Sequence, residues 1–321
     1  VLASGHYASV LAVAPNLGIA MSTDGVGSKL IVAEQAGRVD GVGVDCVAMN
    51  ANDVVCVGAE PIAMLDYLAV ERIDAAVLEQ IAVGLKRGAE AAAIEIPGGE
   101  LAVLPELIRG HPSPHGFDLC GTCIGVVGLD AIVTGEACEP GDVLIGLPSS
   151  GLHSNGYTLA RHVLLDDAGI GLDADPPPLG DRTVADALLE PTTIYVRAVL
   201  DLLRSDVPVH GLAHITGDGV LNLLRLGDEI GFEIDAPLPV PAICELIVDV
   251  GDLTSAEAYE VFNMGCGFVA SVPAARTLEA IALLERHHPG ARAIGRVTDD
   301  AGRVTLPGLQ IVGDRGGLRT A

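Results

Sequence analysis

Residues 17–30 read Leu-Gly-Ile-Ala-Met-Ser-Thr-Asp-Gly-Val-Gly-Ser-Lys-Leu. Leu17–Ser22 is a short apolar run that predicts a strand. Gly25 and Gly27 predict a turn, and the residues from Lys29 onward begin a helical run. The same grammar recurs along the chain. Ala63–Val70, Cys123–Leu129 and Val143–Leu147 predict strands. Asp45–Val57 and Asp74–Ala92 carry apolar residues at three- and four-residue spacing and predict helices, with Asp74 as the N-cap of the second. A further helix is expected from about Tyr157 to Asp167. Strands and helices mixed in this order point to an α/β (α+β) chain. Its 321 residues suit two domains of roughly 150 residues each. The turn Glu139-Pro-Gly-Asp142 closes a break near 131–141, so the expected domains are 1–134 and 139–313; Pro176–Gly180 is a loop inside the second.

Composition excludes several functions. Half the residues are hydrophobic and 19% are charged, which rules out global disorder. Forty-three acids against 18 bases leave a net charge of −25. A nucleic-acid binder needs clustered Lys and Arg, so none is expected as a partner. No run of about 18 apolar residues predicts a membrane span, and no basic segment opens the chain as in a signal peptide. A cytoplasmic location is expected. The seven cysteines are odd in number and form no disulfide framework. Cys120 and Cys123 form a C-x-x-C, but inside an apolar small-residue run and without a second pair to complete a zinc site. They read as strand residues.

Chemistry is densest in Ser22-Thr-Asp-Gly-Val-Gly-Ser-Lys29. Gly25 and Gly27 let backbone N–H groups approach an anion, and Lys29 adds a compact positive charge. Lys29 and Lys86 are the only two lysines beside 16 arginines, which draws attention to this one. The pattern is not a Walker A loop. Asp24, Asp45, Asp53 and Glu100 fall at expected loop or helix-start positions, Glu100 directly after the Gly98-Gly99 turn. Asp45 and Asp53 are eight apart and can share one helix face. Such carboxylates suit Mg²⁺, which also takes phosphate and water oxygens. In the second half, Ser149-Ser-Gly-Leu-His-Ser-Asn-Gly156 precedes a helix and offers hydroxyls, an amide and free N–H groups to an anion. His214-Ile-Thr-Gly-Asp-Gly219 and Phe262-Asn-Met-Gly-Cys-Gly267 are further glycine-rich turns. His153 and His214 are candidate proton handlers.

Taken together, STDGVGSKL (22–30), GVDCVAMNANDVVCVGAEP (43–61), PGGE (97–100), PGDVLIGLPSSGLHSNGYTLAR (140–161), LLEPTTIYV (188–196), AHITGDG (213–219) and FNMGCG (262–267) resemble the phosphoribosylformylglycinamidine cyclo-ligase (aminoimidazole ribonucleotide synthetase) family, in family order and over nearly the whole chain. The resemblance implies an ATP-dependent cyclisation of formylglycinamidine ribonucleotide to aminoimidazole ribonucleotide in purine biosynthesis. It implies a homodimer in which two N-terminal domains share a β-barrel with ATP near the interface, and a C-terminal α/β sandwich that binds substrate. It implies that Asp24, Gly25, Gly27, Ser28, Lys29, Asp45, Asn50 and Asp53 hold nucleotide. Asp24, Asp53 and Glu100 would hold Mg²⁺. Ser149, Ser150, Gly151, His153, Ser154, Asn155, Gly156 and Arg161 would hold the ribonucleotide, and Lys29, His214, Thr216 and Asn263 would act near the reacting groups.

The chain departs from the family pattern in three places. Leu101-Ala-Val-Leu104 follows Gly-Gly-Glu where a second acid is usual, Asp218 replaces a glycine, and a leading segment before Gly5 is missing. A non-catalytic nucleotide-binding paralogue is the alternative of a different class. Among related ATP-using enzymes, selenophosphate synthetase is disfavoured because no cysteine precedes Cys46. A kinase such as thiamine-monophosphate kinase would retain the phosphate on its product.

Overall fold

The computed structural model describes residues 1–2 and 5–321. The N-terminal half is built on a five-stranded sheet of β1 (Ser9–Ala14), β2 (Leu17–Gly25), β3 (Glu60–Val70), β4 (Glu95–Val103) and β5 (Phe117–Gly128), in the order β1-β2-β5-β3-β4. Every neighbouring pair is antiparallel except β3 and β4. That parallel pair needs a crossover, which α3 (Ala75–Ala92) supplies as expected of a βαβ unit. Asp74 caps α3, its carboxylate accepting from the N–H groups of Ala76 and Val77.

One sheet face is covered by α2 (Val42–Cys56), and α1 (Lys29–Ala36) and α3 pack beside it. Asp53 is the one residue of α2 that is not fully buried, in keeping with a helix that is apolar nearly all round. Glycines let α2 and α3 cross closely: a Cβ at Gly43 would lie 2.2 Å from Leu85 N, and one at Gly84 would lie 2.1 Å from Asp40 O. The other sheet face is bare. Leu11, Leu17, Met21, Leu65 and Tyr67 stand exposed on it. A single chain therefore presents an open five-stranded sheet, not a closed barrel.

The C-terminal half is built on an eight-stranded sheet, ordered β13-β12-β11-β8-β10-β6-β9-β7. Its strands are β6 (Val143–Pro148), β7 (Gly211–His214), β8 (Gly231–Ile234), β9 (Cys266–Val272), β10 (Arg292–Thr298), β11 (Val304–Leu306), β12 (Ile311–Asp314) and β13 (Gly317–Thr320). The hairpin of β12 and β13 carries this sheet to Thr320, beyond the expected end at 313. Helices α4 (Tyr157–Arg161), α5 (Val184–Leu188), α6 (Val196–Leu203), α7 (Ala242–Gly251), α8 (Ser255–Val261) and α9 (Thr277–Leu284) flank it. The expected helix over 157–167 is α4 followed by a π-helical turn, His162–Asp167. Residues 129–142 join the halves without a regular helix or strand. The architecture is two mixed α/β domains.

Two expectations about local structure are corrected. Glu100 lies within β4, not after a free turn, because 98–103 pair with 65–70 of β3. Asp24 lies in β2, and Asp53 sits in the last turn of α2, away from its start. Cys120 and Cys123 lie on β5 as free thiols, three residues apart and so on opposite faces of the strand. Burial pushes the Cys123 thiol up to about 12.

Candidate active site

Helix α2 is the junction between the halves, and its polar residues are sorted by what they hold. Asn50 turns toward β2. Its Oδ1 accepts from Asp24 N at 2.9 Å, and its Nδ2 donates to Asp24 O at 3.1 Å and Cys46 O at 2.8 Å. Asn52 faces the C-terminal half, where Oδ1 accepts from Tyr195 N at 2.9 Å and Nδ2 donates to Thr193 O at 3.0 Å. Asp53 Oδ1 lies 2.9 Å from His214 Nδ1. Asp45 Oδ1 accepts from Thr192 N and Thr192 Oγ1 at 2.7 and 2.6 Å. Asp45 and Asp53 thus share the face that meets the second domain, as their spacing predicts, yet they serve different partners.

His214 is wholly buried on β7. Asn52 Nδ2 lies 3.4 Å from its Nε2. The orientation of that amide is fixed by Tyr195 N, so Nε2 is the acceptor and Nδ1–H donates to Asp53. Both ring nitrogens are occupied. His214 therefore reaches no open space, and its Nδ1–H holds the Asp53 carboxylate, which remains 17% exposed. On the other side of that carboxylate stands Asp24. Burial raises the Asp24 carboxyl; the Gly25 N–H lowers it, and the negative charge of Asp53 adds to the rise.

Strand register identifies a carboxylate that sequence reasoning missed. Asp24, Gly121, Asp66 and Gly99 lie in one row across β2, β5, β3 and β4, and their side-chain positions share the face toward α2. Asp24 and Asp66 are two strands apart, about 10 Å. Gly121 leaves room for Asn50 and Cys46, and Gly99 for Asp66, whose Oδ1 would lie 2.4 Å from a Cβ there. Burial raises the Asp66 carboxyl. The signal available in the sequence was an acid inside the otherwise apolar run Ala63–Val70.

Glu100 belongs to the neighbouring row, with Tyr67, Cys120 and Gly25, and so lies on the opposite, bare face. Within one chain it does not join Asp24 and Asp53. No group of three or more His, Cys, Asp or Glu side chains among the described residues is placed to hold a metal ion.

Lys29 also departs from expectation. Its side chain has no exposure, and Nζ donates to Asp45 Oδ1 at 2.9 Å, His153 O at 3.0 Å and Glu190 O at 2.8 Å. Asp45 Oδ2 is also 2.9 Å away, a charge contact without hydrogen-bond geometry. Burial pulls the ammonium down, and Asp45 opposes the shift. With its three N–H bonds spent on these acceptors, Lys29 does not face a phosphate site. Removing either partner of such a buried pair costs about 3–5 kcal/mol.

The Ser149–Gly156 loop divides into a braced part and an open part. Ser149 Oγ donates to Asn263 Oδ1 at 2.8 Å, Ser150 Oγ to Pro191 O at 2.6 Å, and Asn263 Nδ2 to Gly151 O at 2.8 Å. Asn263 is buried and spends its amide on this brace. His153 is buried in a left-handed conformation (φ 63°), and Ser150 N donates to its Nε2 at 3.3 Å. Burial pushes this imidazole well below its ordinary value. Thr216 donates through N and Oγ1 to Asn222 Oδ1, and a Cβ at Gly217 would lie 3.5 Å from Asn155 Oδ1. The Arg161 guanidinium is half-buried, its Nε without a partner.

Ser154, Asn155 and Gly156 form the open part. With Gly27, Ser28, Thr158 and His162 they line a cleft of about 520 Å³ between the domains. Ser28 Oγ and Thr158 Oγ1 touch across it at 3.3 Å. The two glycine-rich turns that sequence reading singled out, Gly25–Ser28 and Ser149–Gly156, thus meet in one cleft.

Comparison with known proteins follows the same division. Residues 5–127 match the family model described as AIR synthase related protein, N-terminal domain, and residues 139–306 match its C-terminal domain. A phosphoribosylformylglycinamidine cyclo-ligase of Methanobrevibacter smithii is 48% identical over 297 residues, covering 92% of this chain and 85% of that relative. One from Thermococcus gammatolerans is 47% identical over 308 residues, covering 96% and 87%. Among solved structures, hydrogenase maturation protein HypE in complex with ATP superposes with a TM-score of 0.66 at 20% identity, covering 96% of this chain and 85% of that one. AaThiL complexed with AMPPCP and TMP gives 0.64 at 17%, covering 95% and 88%. These two likenesses show the fold.

Proposed function

The chain belongs to the AIR synthase related family, and from that premise we propose that it catalyses the reaction for which its curated relatives are named, the ATP-dependent closure of formylglycinamidine ribonucleotide to aminoimidazole ribonucleotide. The γ-phosphoryl group of ATP passes to the formyl amide oxygen of the substrate and ADP departs. The amidine nitrogen then attacks the activated carbon, the C–O bond breaks and phosphate leaves, and loss of a proton gives the imidazole. Such a reaction asks a protein mainly for placement and charge neutralisation.

The observation that carries this reading is the cleft in which Gly27 and Ser28 face Ser154, Asn155 and Gly156. Backbone N–H groups and small hydroxyls on both walls suit phosphate oxygens. We assign the Gly25–Ser28 turn to the nucleotide and the Ser154–Gly156 wall, with Arg161, to the ribonucleotide. Asp24 and Asp53 suit Mg²⁺: two partly desolvated carboxylates raise one another's need for a cation, and the ion takes its remaining ligands from phosphate and water. When bound, it would neutralise charge on the phosphates. His214 keeps Asp53 in place, and Asn50 keeps Asp24 in place.

The bare face of the five-stranded sheet supports a homodimer, since Leu11, Leu17, Met21, Leu65 and Tyr67 form a patch of the kind that marks an interface. In that dimer, Glu100 would face the partner. No helix among the described residues is long and apolar enough to cross a membrane, and a role in purine synthesis supports a cytoplasmic location. The test is a coupled assay for aminoimidazole ribonucleotide with and without Mg²⁺. Selenide and thiamine monophosphate serve as control substrates. ADP and product formed together, from formylglycinamidine ribonucleotide alone, support the reading. Nucleotide binding without turnover would make the protein a non-catalytic paralogue.

A further inference from the structure

Among the described residues, Lys29 is the only lysine or arginine wholly withdrawn from solvent. It follows Gly27-Ser28 directly, so its backbone opens α1 on one wall of the cleft. Its ammonium ends on the other wall. The acceptors are Asp45 on α2, the His153 carbonyl of the serine-glycine loop, and the Glu190 carbonyl two residues before Thr192. Thr192 closes the circuit by donating twice to Asp45 Oδ1. His153 is held in a left-handed conformation that costs a side-chain-bearing residue energy and persists only where surroundings enforce it. The donor that holds the carbonyl is Lys29 Nζ; the Tyr157 hydroxyl lies 3.2 Å from the same oxygen, but its one proton is shared with the nearer Leu188 carbonyl. Ser154, Asn155 and Gly156 follow immediately and are the residues that face the cleft.

We propose that Lys29 is a positioning residue: it fixes the distance between the two walls of the cleft by tying the start of α1 to the His153 peptide and the 190–192 segment, and it does not contact the nucleotide. The identity of the ligand that suffers when this tie is lost rests on the function proposed above, which assigns the Ser154–Gly156 wall to the ribonucleotide. The tie itself does not depend on that assignment.

The test compares wild type with Lys29→Met, Asp45→Asn and the double variant. It uses the Kd of Mg²⁺-AMPPCP, the KM and kcat for formylglycinamidine ribonucleotide, and amide hydrogen exchange of residues 151–156. Lys29→Met is expected to raise the ribonucleotide KM at least about tenfold and to speed exchange in 151–156. The AMPPCP Kd is expected to stay within about threefold. In the double variant no unpaired charge is buried, and Asn keeps an oxygen for Thr192. It is expected to recover at least about threefold of the lost KM, because the two substitutions act on one network. If Lys29→Met fails to fold, Asp45→Asn and the double variant carry the same comparison. A rise of about tenfold or more in the AMPPCP Kd, present equally in Lys29→Met and the double variant, would overturn the proposal and put the ammonium on phosphate. Unchanged exchange at 151–156 would also overturn it. Absence of turnover in the wild type would instead refute the cyclo-ligase reading, while exchange and AMPPCP binding would still decide the role of Lys29.

Discussion

Replacing Asn50 by Ala tests whether α2 places the carboxylate of Asp24. Asn50 is wholly buried, and all of its hydrogen bonds go to main chain: Asp24 N, Asp24 O and Cys46 O. Truncation leaves Asp24 N without an acceptor, which costs about 1–3 kcal/mol. The two carbonyls lose a donor and a small void opens, so the total is about 3 kcal/mol. At roughly 2–4 °C per kcal/mol, the thermal midpoint of the N-terminal half should fall by about 6–12 °C. Asp24 then loses both clamps on its peptide and its carboxylate drifts from Asp53. The affinity for Mg²⁺-AMPPCP should fall about tenfold, equivalent to about 1.4 kcal/mol. Differential scanning fluorimetry and isothermal titration read the two effects. A midpoint within about 2 °C of wild type, together with an unchanged Kd, would refute the claim that Asn50 is the support of Asp24.

Further outcomes follow from burial, register and exposure. Because the Asp24 carboxyl is raised by burial, the folded state holds its proton more tightly than the unfolded state does. Its stabilising contribution is present at low pH and is lost as pH rises through the raised value. The ligand-free wild type should therefore lose stability relative to Asp24→Asn over that window, while Mg²⁺-nucleotide affinity rises; parallel melting curves for the two proteins from pH 4 to 8 would contradict this. Gly99→Ala puts a Cβ 2.4 Å from Asp66 Oδ1 and 2.5 Å from Asp66 O. It should cost about 1–3 kcal/mol in urea denaturation and reduce activity. Gly98→Ala, with nothing within 4 Å, should do neither. Leu65→Asp with Met21→Asp places charges on the bare sheet face and should shift the mass measured by light scattering from dimer to monomer; a dimer of unchanged affinity would mean that another surface pairs.

Local signals carried much of this fold. The Asp74 cap, the strand at Leu17 and the apolar period of α2 and α3 depend on neighbours within a few residues, and their residues were legible. What the sequence hid depends on pairing between distant segments. Gly98 and Gly99 read as a turn because glycine is common there, but the parallel partner β3 makes them strand residues, with Gly99 bare to admit Asp66. Register then decides that Glu100 faces away from Asp24, a fact that no spacing along the chain contains. Asp66 was passed over because an apolar strand read as core. Lys29 was the subtler case. A lysine after Gly-x-Gly-Ser suits phosphate by its chemistry, and only the fold reveals that Asp45 and two carbonyls from the second domain take all of its donors. The convergence of Gly27 and Ser28 with Ser154–Gly156 could be anticipated from their shared character, but their meeting in one cleft depends on the packing of the two domains.

The bonds that cross between the domains also constrain how ligands arrive. Asp45, Asn52 and Asp53 are all fastened to the second domain from one rigid rod, and Lys29 adds two more fastenings beside them. A clamshell motion would have to rupture these together, exposing a buried ion pair in the process. Traffic is therefore expected to pass through the cleft's rim, where a contact between the Ser28 and Thr158 hydroxyls spans the gap, and the enzyme should breathe like a valve instead of a jaw.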